Sequence, residues 1–128
     1  MKIKDIYDLA VRILGKNSVA SNDEEFLDRT PYIMAIFCCN TAKLDRDFRE
    51  SHNLPTQNHF NEVYLNLDED FPLDSRFSAP AAQYLASMLV ADDKESVSEK
   101  LFGMFVNNIS DILHEIPAKK YKILNFYP

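Results

Sequence analysis

Few residues of this chain have types and spacings that could do chemistry. His52 and His59, with the acidic run Asp68-Glu69-Asp70, are the one set of metal-ligand types. Their spacing is too wide for one helical face, and they sit among Asn53, Gln57 and Asn58, a loop composition. The acidic run is too short for an EF-hand loop and lacks its glycine. His114 lies four residues after Ser110 and beside Glu115, near an expected helix C-terminus, where the helix dipole favours a histidinium. A serine nucleophile there would still need an oxyanion hole, and two glycines leave little to build one. Cys38 and Cys39 are neighbours in an apolar helical pattern, without CxxC or CxxH spacing, and read as small core residues of a reduced chain. Neither a phosphate loop nor a dinucleotide-binding glycine pattern is present. The expectation is a protein without catalytic, cofactor or metal site.

The elements that would carry these residues are mostly helical. The 128 residues suit one domain with a single core, and 46% hydrophobic residues argue against disorder. Two glycines and six prolines disfavour a turn-rich sandwich or barrel. A net charge of −6 disfavours nucleic acid as the main partner and suits a basic surface on another protein. No apolar run is long enough to cross a bilayer, and Met1 to Asp5 turns polar too soon for a signal peptide, so a cytoplasmic location is expected.

Ile3, Ile6, Ala10 and Ile13 predict a first helix, capped by Gly15. A second helix carries Ile33, Ile36, Phe37, Leu44 and Phe48 on one side. It starts either at Thr30-Pro31 or near Asp23 with Pro31 as a kink. Its outer face pairs Lys43 with Asp47, Asp45 with Arg49 and Arg46 with Glu50, each worth about 0.2–0.5 kcal/mol. Val63, Leu65 and Leu67 alternate with Tyr64 and Asn66, which predicts one short strand in need of a partner. Ser78 and Pro80 open a third helix with a flat alanine face. The fourth carries Val97, Leu101, Phe105, Ile109, Ile112 and Ile116 and ends at Pro117; Leu101, Phe105 and Ile109 should be buried on the alanine face. Gly103 within it predicts a close helix crossing there.

The fold class is therefore a mostly α bundle of four to five helices with one short strand or hairpin. Residues 120–128 form an extended C-terminal tail. Lys119, Lys120 and Lys122 make the only basic cluster, and Ile123, Leu124, Phe126 and Tyr127 an apolar strip too short for its own core. These residues, with Asp68, Glu69 and Asp70, are the candidate partner or oligomer interface.

The order of features resembles the small head–tail connector (adaptor or head-completion) proteins of tailed bacteriophages. The features are an N-terminal helical pair, a variable loop, Phe71-Pro72-Leu73 stepping into Arg76-Phe77, a helix with Tyr84-Leu85-Ala86, and a Leu101-Phe102 helix ending in a tail with Asn125 and Tyr127. The resemblance implies a helical bundle that forms a ring on the portal, contacts neighbouring copies and tail-side proteins, and resides in the host cytoplasm and then the virion neck. It implies no reaction and no membrane. The alternative is a non-catalytic bacterial interaction or regulatory module.

Overall fold

The computed structural model describes residues 1–15, 23–56 and 60–116. These form four helices: α1 (Ile3–Leu14), α2 (Glu24–Ser51), α3 (Ser78–Leu89) and α4 (Glu95–His114). A 3-10 turn, Ser75–Phe77, leads into α3. No helix among the described residues is long and apolar enough to cross a membrane.

Helix α1 buries Ile3, Ile6, Tyr7, Ala10 and Val11; Ile3, Ile6 and Ala10 are the expected face, whereas Ile13 is only half-buried and Val11 takes an inward position instead. It ends where Gly15 turns left-handed (φ 70°) and donates its N–H to the Arg12 carbonyl, 3.0 Å. At the other end the free N–H groups of Ile3 and Lys4 reach the carbonyls of Glu69 and Leu67, at 2.9 and 3.0 Å.

Helix α2 is one 28-residue helix with Pro31 inside it, which resolves the two starts left open by the sequence. The Asp23 carboxylate caps it by accepting the Phe26 N–H at 3.1 Å. Pro31 has no N–H, so the Leu27 carbonyl loses its usual donor four residues on. The Thr30 hydroxyl donates to the Phe26 carbonyl at 2.7 Å, a bond of the kind that bends helices. The buried face is rotated from the expected one. Met34, Ala35, Phe37, Cys38, Thr41, Asp45 and Phe48 face inward, while Ile36 is 52% exposed.

The expected strand at Val63–Leu67 does not form; among the described residues the β-type pairing is a single antiparallel bridge, Lys2 with Asp70. The physical reason is the neighbour. This segment lies along α2, whose own ladder consumes its backbone groups. Only Leu65 finds a backbone acceptor there, the Pro31 carbonyl at 3.1 Å. Leu65 is buried, whereas Val63 is 80% exposed, so the alternation does not mark one buried face.

Helix α3 is the central helix, in contact with the other three. Its Ala81, Ala82, Leu85 and Ala86 are fully buried. Ser78 is the first residue of the helix and not its N-cap; its hydroxyl donates to the Ser75 carbonyl at 2.7 Å. The α3–α4 crossing is fastened where Ser87 and Ser98 meet. Each hydroxyl donates to the other residue's carbonyl at 2.9 Å, so two small polar side chains are satisfied inside the contact.

The expected close crossing at Gly103 is absent: a Cβ built there meets nothing within 4 Å. On α4, Leu101 and Ile112 are buried, while Phe105 and Ile109 are only partly so. Phe105 instead joins a ring cluster with Phe37, Tyr84 and Phe102, at centroid distances of 6.0, 5.3 and 5.4 Å. Because Gly103 is exposed and helical, Gly103→Ala should stabilise the fold by about 0.5–1 kcal/mol. A rise in melting temperature checks it; a fall would restore a packing role for the glycine.

Candidate functional site

Phe71 to Phe77 acts as a strap between helix ends. Phe71, Leu73 and Phe77 are buried, and the Phe77 ring meets Phe48 edge-on at 5.9 Å. Between these anchors the polar residues make long-range bonds. Asp45, expected in an exposed pair, is 5% exposed. One of its carboxylate oxygens accepts the Asp74 N–H at 2.8 Å, and the other accepts Arg49 Nε at 3.0 Å. Arg49 Nη1 also donates to the Pro55 carbonyl at 3.1 Å, so both Asp45 oxygens and two of the three guanidinium nitrogens are hydrogen-bonded. The Asp74 side chain in turn accepts the Arg76 N–H at 2.9 Å, capping the 3-10 turn.

Arg76 reaches α4. Its Nη2 donates to Glu115 at 2.6 Å, its Nε to both Glu115 oxygens at 3.1 Å, and its Nη1 to Asn108 at 3.5 Å. The hydrogen bond from Arg76 holds the Glu115 carboxyl below its usual range against the opposing effect of desolvation; the same bond holds the Arg76 guanidinium above its own. The pair is about one-third exposed, so its contribution is screened.

The acidic loop is a structural element first. Its backbone carbonyls cap α1, the Lys2 ammonium donates to the Asp68 carbonyl at 3.1 Å and lies 3.6 Å from the Asp70 carboxylate, and Phe71 N–H donates to the Met1 carbonyl at 2.8 Å. The Asp68 and Glu69 side chains remain exposed. The other expected interface residues, Lys119, Lys120, Lys122, Ile123, Leu124, Phe126 and Tyr127, lie outside the described residues, as does His59.

Next to this loop, α2 and the segment after Phe60 enclose a cleft of about 300 Å³. Leu27, Asp28 and Tyr32 line it from α2; Tyr64, Asn66 and Leu67 line it from the other side. Tyr32 and Tyr64 stand edge to face, 5.0 Å between centroids at 74°, and form two adjoining walls. Asp28 is exposed and makes no ion pair among the described residues, and no Lys or Arg lines the cleft. Sequence reasoning missed this site. Its signal was Pro31, which both frees the Leu27 carbonyl and offers its own to Leu65.

A second surface runs along α4, where Phe102, Val106 and Leu113 are 41–47% exposed at helical spacing beside half-buried Ile109. The two described histidines have separate local roles. His52 is the C-cap of α2, its ring stacked on Phe48 at 4.2 Å and its Nδ1 2.9 Å from the Phe48 carbonyl; His114 is exposed. Among the described residues no group of three His, Cys, Asp or Glu side chains could hold a metal. Of the cysteines, Cys38 is buried and burial pushes its thiol well up, whereas Cys39 is exposed, against expectation. Comparison with protein-family models, with curated proteins and with solved structures gives no match.

Two predictions follow from the strap. Asp45→Ala leaves the Arg49 charge and the Asp74 N–H without their partner and should cost about 3 kcal/mol in chemical denaturation; a loss under 1 kcal/mol, the scale of an exposed pair, would contradict the buried role. Glu115 has a lowered native pKa, so its pair stabilises above the unfolded pKa and fades as pH falls through the native one. Glu115→Gln should therefore lower the melting temperature at pH 7, with the gap closing below about pH 4. A gap that stays constant down to pH 2 would show that the charge is not its source.

Proposed function

We propose that this chain is a non-catalytic assembly protein, and specifically a head–tail connector of a tailed phage or prophage that forms a ring on the portal and seats the tail. The observation that carries the assembly reading is the exposed apolar surface on a small acidic helical domain. Phe102, Val106 and Leu113 on α4, with Tyr32, Ile36, Val63 and Tyr64 on and beside α2, are 41% or more exposed. Such surface is costly to leave in water and marks docking faces. The order of sequence features supplies the phage reading, and with it the host cytoplasm and virion neck as locations and the portal, sister copies and tail-side proteins as partners. The strand expected at Val63–Leu67 fits the same reading as an element completed on assembly. Among the described residues the N–H groups of Val63, Tyr64 and Asn66 meet no backbone acceptor, leaving an edge that an incoming segment could pair with.

A non-catalytic regulatory module remains the second reading, since the tyrosine-walled cleft could equally seat one partner segment in a one-to-one complex. Electron microscopy of the chain mixed with the portal protein of its own phage separates the two, rings on the portal being expected. Truncation after Lys120 should leave the far-ultraviolet circular dichroism nearly unchanged and abolish the rings. An unfolded truncated chain would place the tail in its own subunit's core, and undiminished rings would make the tail dispensable.

A further inference from the structure

We propose that the apolar stripe of α4 is a self-association face, on which α4 of a second copy packs antiparallel about a twofold axis near Val106 and Ile109. The inference goes beyond the connector reading, since a twofold contact closes on two copies and does not build a ring. Its first support is the spacing of the stripe. Phe102, Val106, Ile109 and Leu113 follow one another at four, three and four residues, the alternation of a coiled-coil seam. Leu101 and Ile112 on the neighbouring face are buried, whereas Phe102, Val106 and Leu113 are 41–47% exposed, so α4 buries one side and presents the seam beside it. Phe102 is held in place before any partner arrives. Its ring rests on Phe105, which meets Tyr84 and Phe37 in turn, so the seam extends the core outward and loses little side-chain freedom on docking.

The second support is charge, which favours a copy of the same face over other pairings. In a twofold contact the residues near the axis meet their own copies, so a charge there would face the same charge. Helix α4 has none where the axis falls: charged residues stop at Lys100 and resume at Asp111. The exposed tyrosines beside α2 differ in this respect. Asp28 lies among them, and pairing that region with itself would bring two such carboxylates together on copies that already carry a net charge of −6 each.

The third support is Gly103. A glycine inside an exposed helix costs about 1 kcal/mol against alanine, and nothing within one copy offsets it, since a Cβ there meets nothing within 4 Å. Setting Val106 of one copy against Ile109 of the other also sets Phe102 against Leu113 and brings Gly103 alongside Ser110. Two small residues then flank the seam on its outer side, and the helix axes can approach to about 8 Å, the short end of the usual range. From Phe102 to Leu113 the seam is only about 17 Å long at the helical rise. It falls short of a standard interface, so the dimer is weak and forms at high concentration.

Sedimentation equilibrium on the full chain tests this. The parent should form dimers that tighten as salt is raised, because the seam is uncharged and salt screens the repulsion between acidic copies. Val106→Glu and Val106→Lys, at an exposed position where circular dichroism should show an intact fold, should each weaken dimerisation by about tenfold or more. Their equimolar mixture should pair better than either alone, since the two substituted positions flank the axis and now attract. Gly103→Gln should melt no lower than the parent in dilute solution, where the added side chain has open space, yet dimerise about tenfold more weakly. A parent that stays monomeric at millimolar concentration would overturn the proposal. So would a mixture no tighter than its components, or a Gly103→Gln variant that dimerises like the parent. A monomeric parent that begins to dimerise once truncated after Pro117 would show that the chain's own C-terminal residues cover the stripe, which also overturns it.

Discussion

The buried Asp45 carboxylate is the constraint on which the rest of the arrangement depends. It is a charge in the interior of a small domain, and it is tolerated because both oxygens are occupied, by Arg49 within α2 and by the Asp74 backbone outside it. Holding Asp74 fixes the start of the 3-10 turn. That turn sets Phe77 on Phe48 and points Arg76 at Glu115, so one carboxylate locates the end of α2, the start of α3 and the end of α4 together. At the opposite end Arg29 plays a lesser version of this part. Its guanidinium donates to the carbonyls of Met88 and Leu89 in the last turn of α3.

The helices were legible in sequence because their signals are local. Ile3, Ile6 and Ala10 define a face and Gly15 ends it within one span, so pattern and cap agree. Thr30-Pro31 misled in part because the same dipeptide starts helices and sits in kinks, and only the Asp23 cap, seven residues earlier, decides which. The strand at Val63–Leu67 failed for a different reason. Alternation reports which side chains are apolar, whereas a strand also needs a neighbour with free backbone groups, and α2 has almost none. Gly103 was read as a packing residue from its helix cost alone, while the contact that brings α3 and α4 together is a pair of serines, whose ordinary place is the surface.

The candidate site was less legible than the fold, since it is made by long-range contacts. Asp45 and Arg49 look like any exposed pair four apart; the hint was that Asp45 falls between Thr41 and Phe48 on the inward face. The tyrosine cleft needs Leu65 bonded to Pro31, a contact that no periodicity encodes. The acidic loop was marked as a partner surface on charge, yet much of what it does is done by its carbonyls, which are invisible in composition. Its Asp70 pairs with Lys2 only at 3.6 Å and stays 83% exposed, so it adds to the surface charge of Asp68, Glu69 and Asp28.

This distribution bears on how such a domain could assemble without aggregating. An apolar face alone attracts any other apolar face, including its own twin, and gives little control over orientation. Exposed carboxylates add a condition that an apolar surface cannot set, and at a rim they contribute more to selectivity and encounter rate than to affinity. The α4 stripe of Phe102, Val106 and Leu113 lies on a different helix from the tyrosine cleft, so a contact through one leaves the other open to a partner of another kind.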